Sequence, residues 1–134
     1  MLKLEIKLRR LAMNANSNHT NVESLSYKGL LYERYPSQKR YTWDEAVEYA
    51  NQLKKKSMKN WRLATVEELQ KLYAKANKKV FEEIAMSWSQ DDENPHTAWV
   101  MDFESNLYYL RNKNFKFRVI CVQDTVLKRS INFF

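Results

Sequence analysis

The stretch Trp61-Arg62-Leu63-Ala64-Thr65-Val66-Glu67-Glu68-Leu69 limits the folds open to this chain more than any other. Thr65 and Glu68 form a Thr-x-x-Glu capping box: the hydroxyl accepts from the Glu68 N–H and the carboxylate reaches back to the Thr65 N–H. Strand-like residues therefore give way to a helix at a defined point. A second box, Thr42-Trp43-Asp44-Glu45, opens a helix whose residues Trp43, Ala46, Val47, Ala50 and Leu53 fall on one face. Asp44 and Glu45 in its first turn, and Lys54, Lys55 and Lys56 in its last, suit the helix dipole. The most basic run in the sequence thus has a structural explanation. Beyond Thr65, Val66, Leu69, Leu72, Tyr73 and Ala76 share the inward face, and Lys71, Lys75, Lys78 and Lys79 the solvated one.

Around these helices the pattern is that of strands. Residues 2–8 alternate Leu2, Leu4, Ile6 and Leu8 with charges, which reads as a strand, with a helix through Leu4, Leu8 and Leu11 competing. Residues 14–26 read as a polar loop, and Gly29 to Tyr35 as a strand stopped by Pro36. Val80 to Ala85 adds a short helical turn, and from Met86 onward the pattern is β. The spacing predicts strands over 86–89 and 97–103, a turn at Glu104-Ser105-Asn106, a hairpin partner over 107–110, and a last strand over 115–122.

The chain has 134 residues, 44% hydrophobic and 13% aromatic, enough for one domain with its own core. With one glycine and two prolines, most turns fall to asparagine, serine and lysine. A net charge of +7 favours acidic partners. Cys121 is the single cysteine, so an intrachain disulfide and a cysteine-based zinc site are both excluded. Charges at Lys3, Glu5, Lys7, Arg9 and Arg10 leave no secretory signal in the sequence, and no run approaches the roughly 20 apolar residues of a membrane span.

The order of elements resembles the C-type lectin-like fold: an α+β arrangement of two helices packed on a twisted antiparallel β-sheet. More narrowly it resembles the bacterial Lcl C-terminal domain family, which is distantly similar to the sulfatase-modifying-factor group. The resemblance rests on Leu31-Tyr32-Glu33, on Thr42-Trp43 with Ala46 and Tyr49, and on Trp61-Arg62-Leu63 through Glu67-Glu68-Leu69. It continues through Trp88-Ser89, Ala98-Trp99 with Asp102-Phe103, and Arg118-Val119 with Cys121-Val122. It runs from Gly29 to Val122, leaving 1–28 and 123–134 as extensions suited to oligomer assembly. Where the family has proline this chain has Ala64, and where it has a hairpin glycine this chain has Asn106. A helix cysteine that the resemblance would pair with the last strand is here Ala50, which leaves Cys121 as a small buried hydrophobe. Relatives of this kind are often exported or held at the bacterial surface, and the compartment of this chain stays open.

Enzymatic chemistry has little to work with. No Gly-x-Ser-x-Gly elbow is present, a single glycine rules out glycine-rich phosphate loops, and the modifying-factor chemistry requires a cysteine pair. No cofactor is expected. His19 and His96 both lie in polar segments, so no transition-metal site is expected; Asp91, Asp92 and Glu93 are weak calcium candidates beside Asn94. Thr42, Trp43, Trp61, Arg62, Leu63, Thr65, Glu68, Trp88, Trp99 and Arg118 are assigned to the scaffold. The expected binding face spans Gln90 to Lys116, with Asp91, Glu93, Asn94, Tyr108, Arg111, Lys113 and Lys116 as candidate contacts. Basic side chains with an interleaved aromatic suit an anionic glycan or an acidic protein surface. A collagen-like adhesin carrying such a domain binds sulfated polysaccharides, which the resemblance extends to this chain as an expectation. Nucleic acid is disfavoured, since no helix-turn-helix, RNP or KH pattern accompanies the charge.

Overall fold

The computed structural model describes residues 22–76 and 78–125. The expected strand over 2–8 and the terminal segments assigned to assembly lie largely outside them. In chain order the elements are β1 (Ser24–Tyr27), β2 (Leu30–Glu33), α1 (Trp43–Ser57), β3 (Arg62–Leu63) and α2 (Val66–Lys71). A π-helical turn (Leu72–Ala76), α3 (Lys78–Ile84), β4 (Met86–Asp92), β5 (Thr97–Asp102), β6 (Leu107–Asn112) and β7 (Cys121–Asp124) follow. The strands form two antiparallel sheets, ordered β1-β2-β7-β3 and β4-β5-β6.

Alternation along the strands builds two cores at once. Val119 and Cys121 pack with Ala46, Ala50, Trp61, Leu63 and Trp88, while Ile120 and Val122 pack with Leu69, Leu72, Phe81 and Phe103. Strand β5 divides the same way: Ala98 and Val100 join the first core and Met101 the second. With side chains at i and i+2 on one face, helix α1 covers one side of the sheets and α2, the π turn and α3 cover the other. Both capping boxes form in full: Thr42 with Glu45, and Thr65 with Glu68.

Strands β4 and β6 run past their expected ends at 89 and 110, and the structure departs further from the sequence pattern in three places. Ser24–Tyr27, expected as the end of a polar loop, is a strand paired with β2 from Ser24↔Glu33 to Tyr27↔Leu30, so the sheet begins before Gly29. Its sequence, SLSY, has too few apolar residues to register as a strand; pairing to an already anchored neighbour supplies the stability. The last strand is confined to Cys121–Asp124, because residues 113–115 form a turn and Phe117 and Arg118 touch their neighbours only through single bridges, Tyr41↔Phe117 and Ser87↔Arg118. Phe115, which alternation along a strand over 115–122 would put on one side with Phe117, Val119 and Cys121, is exposed. Third, the turn expected at 80–85 is a full helix, α3, whose Phe81 and Ile84 are buried.

Scarcity of glycine leaves its mark on the backbone. Besides Gly29, the left-handed region is taken by Lys28, Met58, Ala85 and Asn106. Asn106 tolerates this through its short polar side chain, whereas Met58 and Ala85 pay the steric cost of a Cβ.

Candidate functional site

The β5–β6 hairpin is the structural base of the expected binding face. Its register pairs Trp99 with Leu110, Val100 with Tyr109 and Met101 with Tyr108, so Trp99, Met101, Tyr108 and Leu110 share one face. Met101 is inside the core, but Tyr108 and Leu110 stand clear of it at 48% and 37% exposure. The Tyr108 ring meets Trp99 edge-on at 5.4 Å between centroids, and the Trp99 Nε1–H donates to Glu93 Oε2 at 3.3 Å. Between this aromatic pair and α2 lies an open groove of about 430 Å³, lined also by Val66, Glu67, Gln70 and Asp91. Asp91 ties the two sides together: its Oδ2 accepts from the Val66 N–H at 2.8 Å, at the first turn of α2.

Of the seven candidate contacts, only Asp91 and Tyr108 meet in this groove. Glu93 holds the Trp99 indole, and Asn94 Oδ1 closes the β4–β5 loop by accepting from the N–H groups of His96 and Thr97. Lys113 is drawn into the scaffold. Its ammonium sits 4.1 Å from the centroid of the Trp43 ring and 3.0 Å from Asp92 Oδ2. Its N–H donates to His96 and its carbonyl accepts from Trp43, so backbone and side chain together stitch the loop to α1. Arg111 lies on the other face of the hairpin, its guanidinium 4.9 Å from the Tyr109 ring centroid. Lys116 is exposed.

The same contacts bear on calcium. Asp91, Asp92 and Glu93 are each engaged by a different protein donor, and they diverge rather than converge. Among the described residues no group of three or more His, Cys, Asp or Glu side chains is arranged to hold a metal ion. Likewise, no helix among them is long and apolar enough to cross a membrane.

Most of the residues assigned to the scaffold have structural partners. Arg62 makes two hydrogen bonds to the Glu68 carboxylate, at 2.7 and 2.8 Å, and reaches Asp124 at 3.3 Å. The Glu68 hydrogen bond is the main cause that raises the Arg62 pKa. Arg118 donates to the Ser37 carbonyl at 2.9 Å, and burial, with Arg40 nearby, lowers its pKa. The Trp88 indole donates to the Tyr41 carbonyl at 2.8 Å. Trp61 and Leu63 are buried in the first core.

Sequence patterning gave no warning of Glu33, which is buried and links three elements. Its carboxylate accepts from the Tyr49 hydroxyl of α1 at 2.6 Å and from the Cys121 N–H of β7 at 2.7 Å. Burial, and secondly the Glu33 charge, push the Tyr49 phenol and the Cys121 thiol well above their ordinary ranges. A thiol so protonated and enclosed is a packing group and not a nucleophile. The exposure of Leu107 at 55% and Phe115 at 54% was equally invisible, because strand alternation cannot tell a covered face from an open one.

Comparison with known proteins gives the family and the fold. Residues 16–123 match the family described as the Lcl C-terminal domain. The sequence finds no match among curated proteins. Among solved structures, the chain is similar to the snake venom toxin convulxin, with a TM-score of 0.56 at 10% identity over 79% of this chain and 98% of that one. It is similar also to EMS16, an antagonist of the collagen receptor integrin α2β1 (TM-score 0.52, 19% identity, 76% of this chain and 97% of that one). Botrocetin superimposes with a TM-score of 0.52 at 12% identity, over 76% of this chain and 96% of that one. These likenesses establish the C-type lectin-like fold and nothing finer.

Proposed function

The chain belongs to the Lcl C-terminal domain family, and we propose that it is a non-enzymatic recognition module whose ligand is an acidic protein surface carrying an apolar anchor. One observation carries this reading. Tyr108 and Leu110 are exposed on one face of the β5–β6 hairpin, the exposed Leu107 lies on the other face with Arg111, and Phe115 and Lys116 are exposed just beyond β6. Large apolar side chains left exposed, with cations around them, are what a protein interface core and rim require. The groove beside Tyr108 offers a receptor for one inserted side chain. The +7 charge favours an acidic partner over a basic one. EMS16 and botrocetin, the latter also seen in complex with the von Willebrand factor A1 domain, act on protein partners through the same scaffold, which supports the reading by analogy of fold.

An anionic glycan would use the basic residues and leave the apolar cluster without a role, so the protein reading is preferred. Selection of a displayed peptide library on the full chain tests it, with a sulfated-glycan array beside it. Peptides combining acidic residues with one large apolar residue should be enriched, and Tyr108→Ser should weaken them about tenfold or more, as loss of an interface anchor does. Enrichment indifferent to Tyr108→Ser and Leu110→Ser, or binding confined to sulfated glycans, would overturn the proposal.

A further inference from the structure

A second cavity, on the opposite side of α2 from the groove, has a different chemistry. It encloses about 350 Å³ between the β1–β2 turn and the helical segment through Lys75. Tyr27, above the buried Leu30 and Leu72, gives it an apolar floor, and Lys28, Lys71 and Lys75 are the cationic residues of its lining. The remaining lining residue, Glu68, has its carboxylate committed to Arg62 and to the Thr65 N–H. Its charge is therefore already compensated, and the lysines leave the cavity strongly positive.

The fold aims these lysines. Tyr27 pairs with Leu30, so Lys28 and Gly29 are the two central residues of a tight hairpin, both with positive φ (44° and 83°). Asparagine would take the first position at less cost, yet a lysine occupies it, with its ammonium 5.6 Å from the Tyr27 ring centroid. Lys71, at the end of α2, and Lys75, in the π turn, are four residues apart and both line the cavity. Lys71 is paired with Glu67 at 3.0 Å, but both side chains are well exposed, so the pair is weak and exchangeable. Lys75 has no carboxylate within ion-pair distance among the described residues.

We infer that this cavity is a binding site for an oxyanion monoester, phosphate or sulfate, carried on a flat apolar ring. The ring would lie against Tyr27, above the buried Leu30 and Leu72, while the three lysine side chains close around the anion. A carboxylate offers two acceptor oxygens to three lysines, where a phosphate or sulfate monoester offers three, and a bare inorganic anion leaves the apolar floor without a partner. The site is independent of the β5–β6 surface, so either can fail without the other.

Amide chemical shifts of the full chain, titrated separately with phenyl phosphate, phenyl sulfate, inorganic phosphate and phenol, test the inference. Phenyl phosphate or phenyl sulfate should shift Gly29, Leu72 and Lys75 while sparing the β5–β6 hairpin, and the tighter of the two identifies the anion. Both inorganic phosphate and phenol should bind at least about fivefold more weakly, each lacking one half of the recognition. The double variant Lys71→Gln/Lys75→Gln should weaken binding about tenfold, as loss of two partly screened charge contacts would. Lys54→Gln/Lys55→Gln, at the end of α1, should leave it unchanged. Equal weakening by the two double variants, or shifts spread over exposed lysines generally, would overturn the inference.

Discussion

The junction at Thr65 allows a sharp energetic test, because one carboxylate does two jobs there. Glu68 Oε1 accepts from the Thr65 N–H at 2.9 Å and from Arg62 at 2.7 Å, while Oε2 takes the second Arg62 nitrogen at 2.8 Å. Thr65 Oγ1 contributes one bond, from the Glu68 N–H at 3.1 Å. Thr65→Ala should therefore cost about 1 kcal/mol, the usual loss for an N-cap. Glu68→Ala loses the return bond of the box and a bidentate charge-assisted pair. Arg62 is about one-third exposed and retains Asp124 and water as partners, which limits the loss to about 2–3 kcal/mol. Since the two residues share one box, the double variant should cost less than the sum of the singles by about 0.5–1 kcal/mol. Urea denaturation of the four proteins, with a common m-value, measures all three quantities. A Glu68→Ala loss no larger than that of Thr65→Ala would refute the claim that Arg62 and the box act through one carboxylate. So would strict additivity.

Three further outcomes are expected. Burial acts to raise the Glu68 pKa, but the Arg62 and Thr65 hydrogen bonds outweigh it and hold the carboxyl below its ordinary 4.5. With the folded value depressed, this contribution is complete above the unfolded pKa and fades as pH falls below about 4.5 through the folded value; urea midpoints from pH 7 to 3 should decline less in Glu68→Gln than in the parent chain. Met58 follows α1 in left-handed backbone (φ 57°) with its side chain 79% exposed, so Met58→Gly should stabilise by about 0.5–1 kcal/mol in a thermal melt; destabilisation would show that the methionine makes contacts worth more than the strain. Lys113→Met removes the ammonium from Trp43 and Asp92 and should cost about 1–2 kcal/mol in urea while leaving selected peptide ligands bound; affinity lost without stability would make Lys113 a ligand contact.

Lys113 also shows which part of the site the sequence could convey. Its type and position beside Arg111 and Lys116 read as a basic patch, and nothing local revealed Trp43, seventy residues earlier in the chain, beneath its ammonium. The helices were legible because their signals are local: a capping box spans four residues, and both form as the spacing predicted. The C-type lectin-like fold was legible because the order of such local signals is itself distinctive. Strands β1 and β7 were misjudged at their limits because pairing partners decide them; Ser24–Tyr27 lies against β2, and Phe115 lies in a bend outside the strands. Acidic residues suffered most from this blindness. Asp91, Asp92 and Glu93 are consecutive, yet their carboxylates serve a helix start, a lysine and an indole in three directions. The loop that sequence reasoning offered as a ligand cluster thus fixes the positions of its neighbours. What it holds in place is the aromatic pair Trp99 and Tyr108, and in the function proposed above recognition falls to the apolar side chains left uncovered along β6. For the proposed recognition surface, a strongly braced loop beside an open apolar edge is a coherent division of labour. Rigid support lowers the entropic cost of association, and the exposed residues supply the contact area.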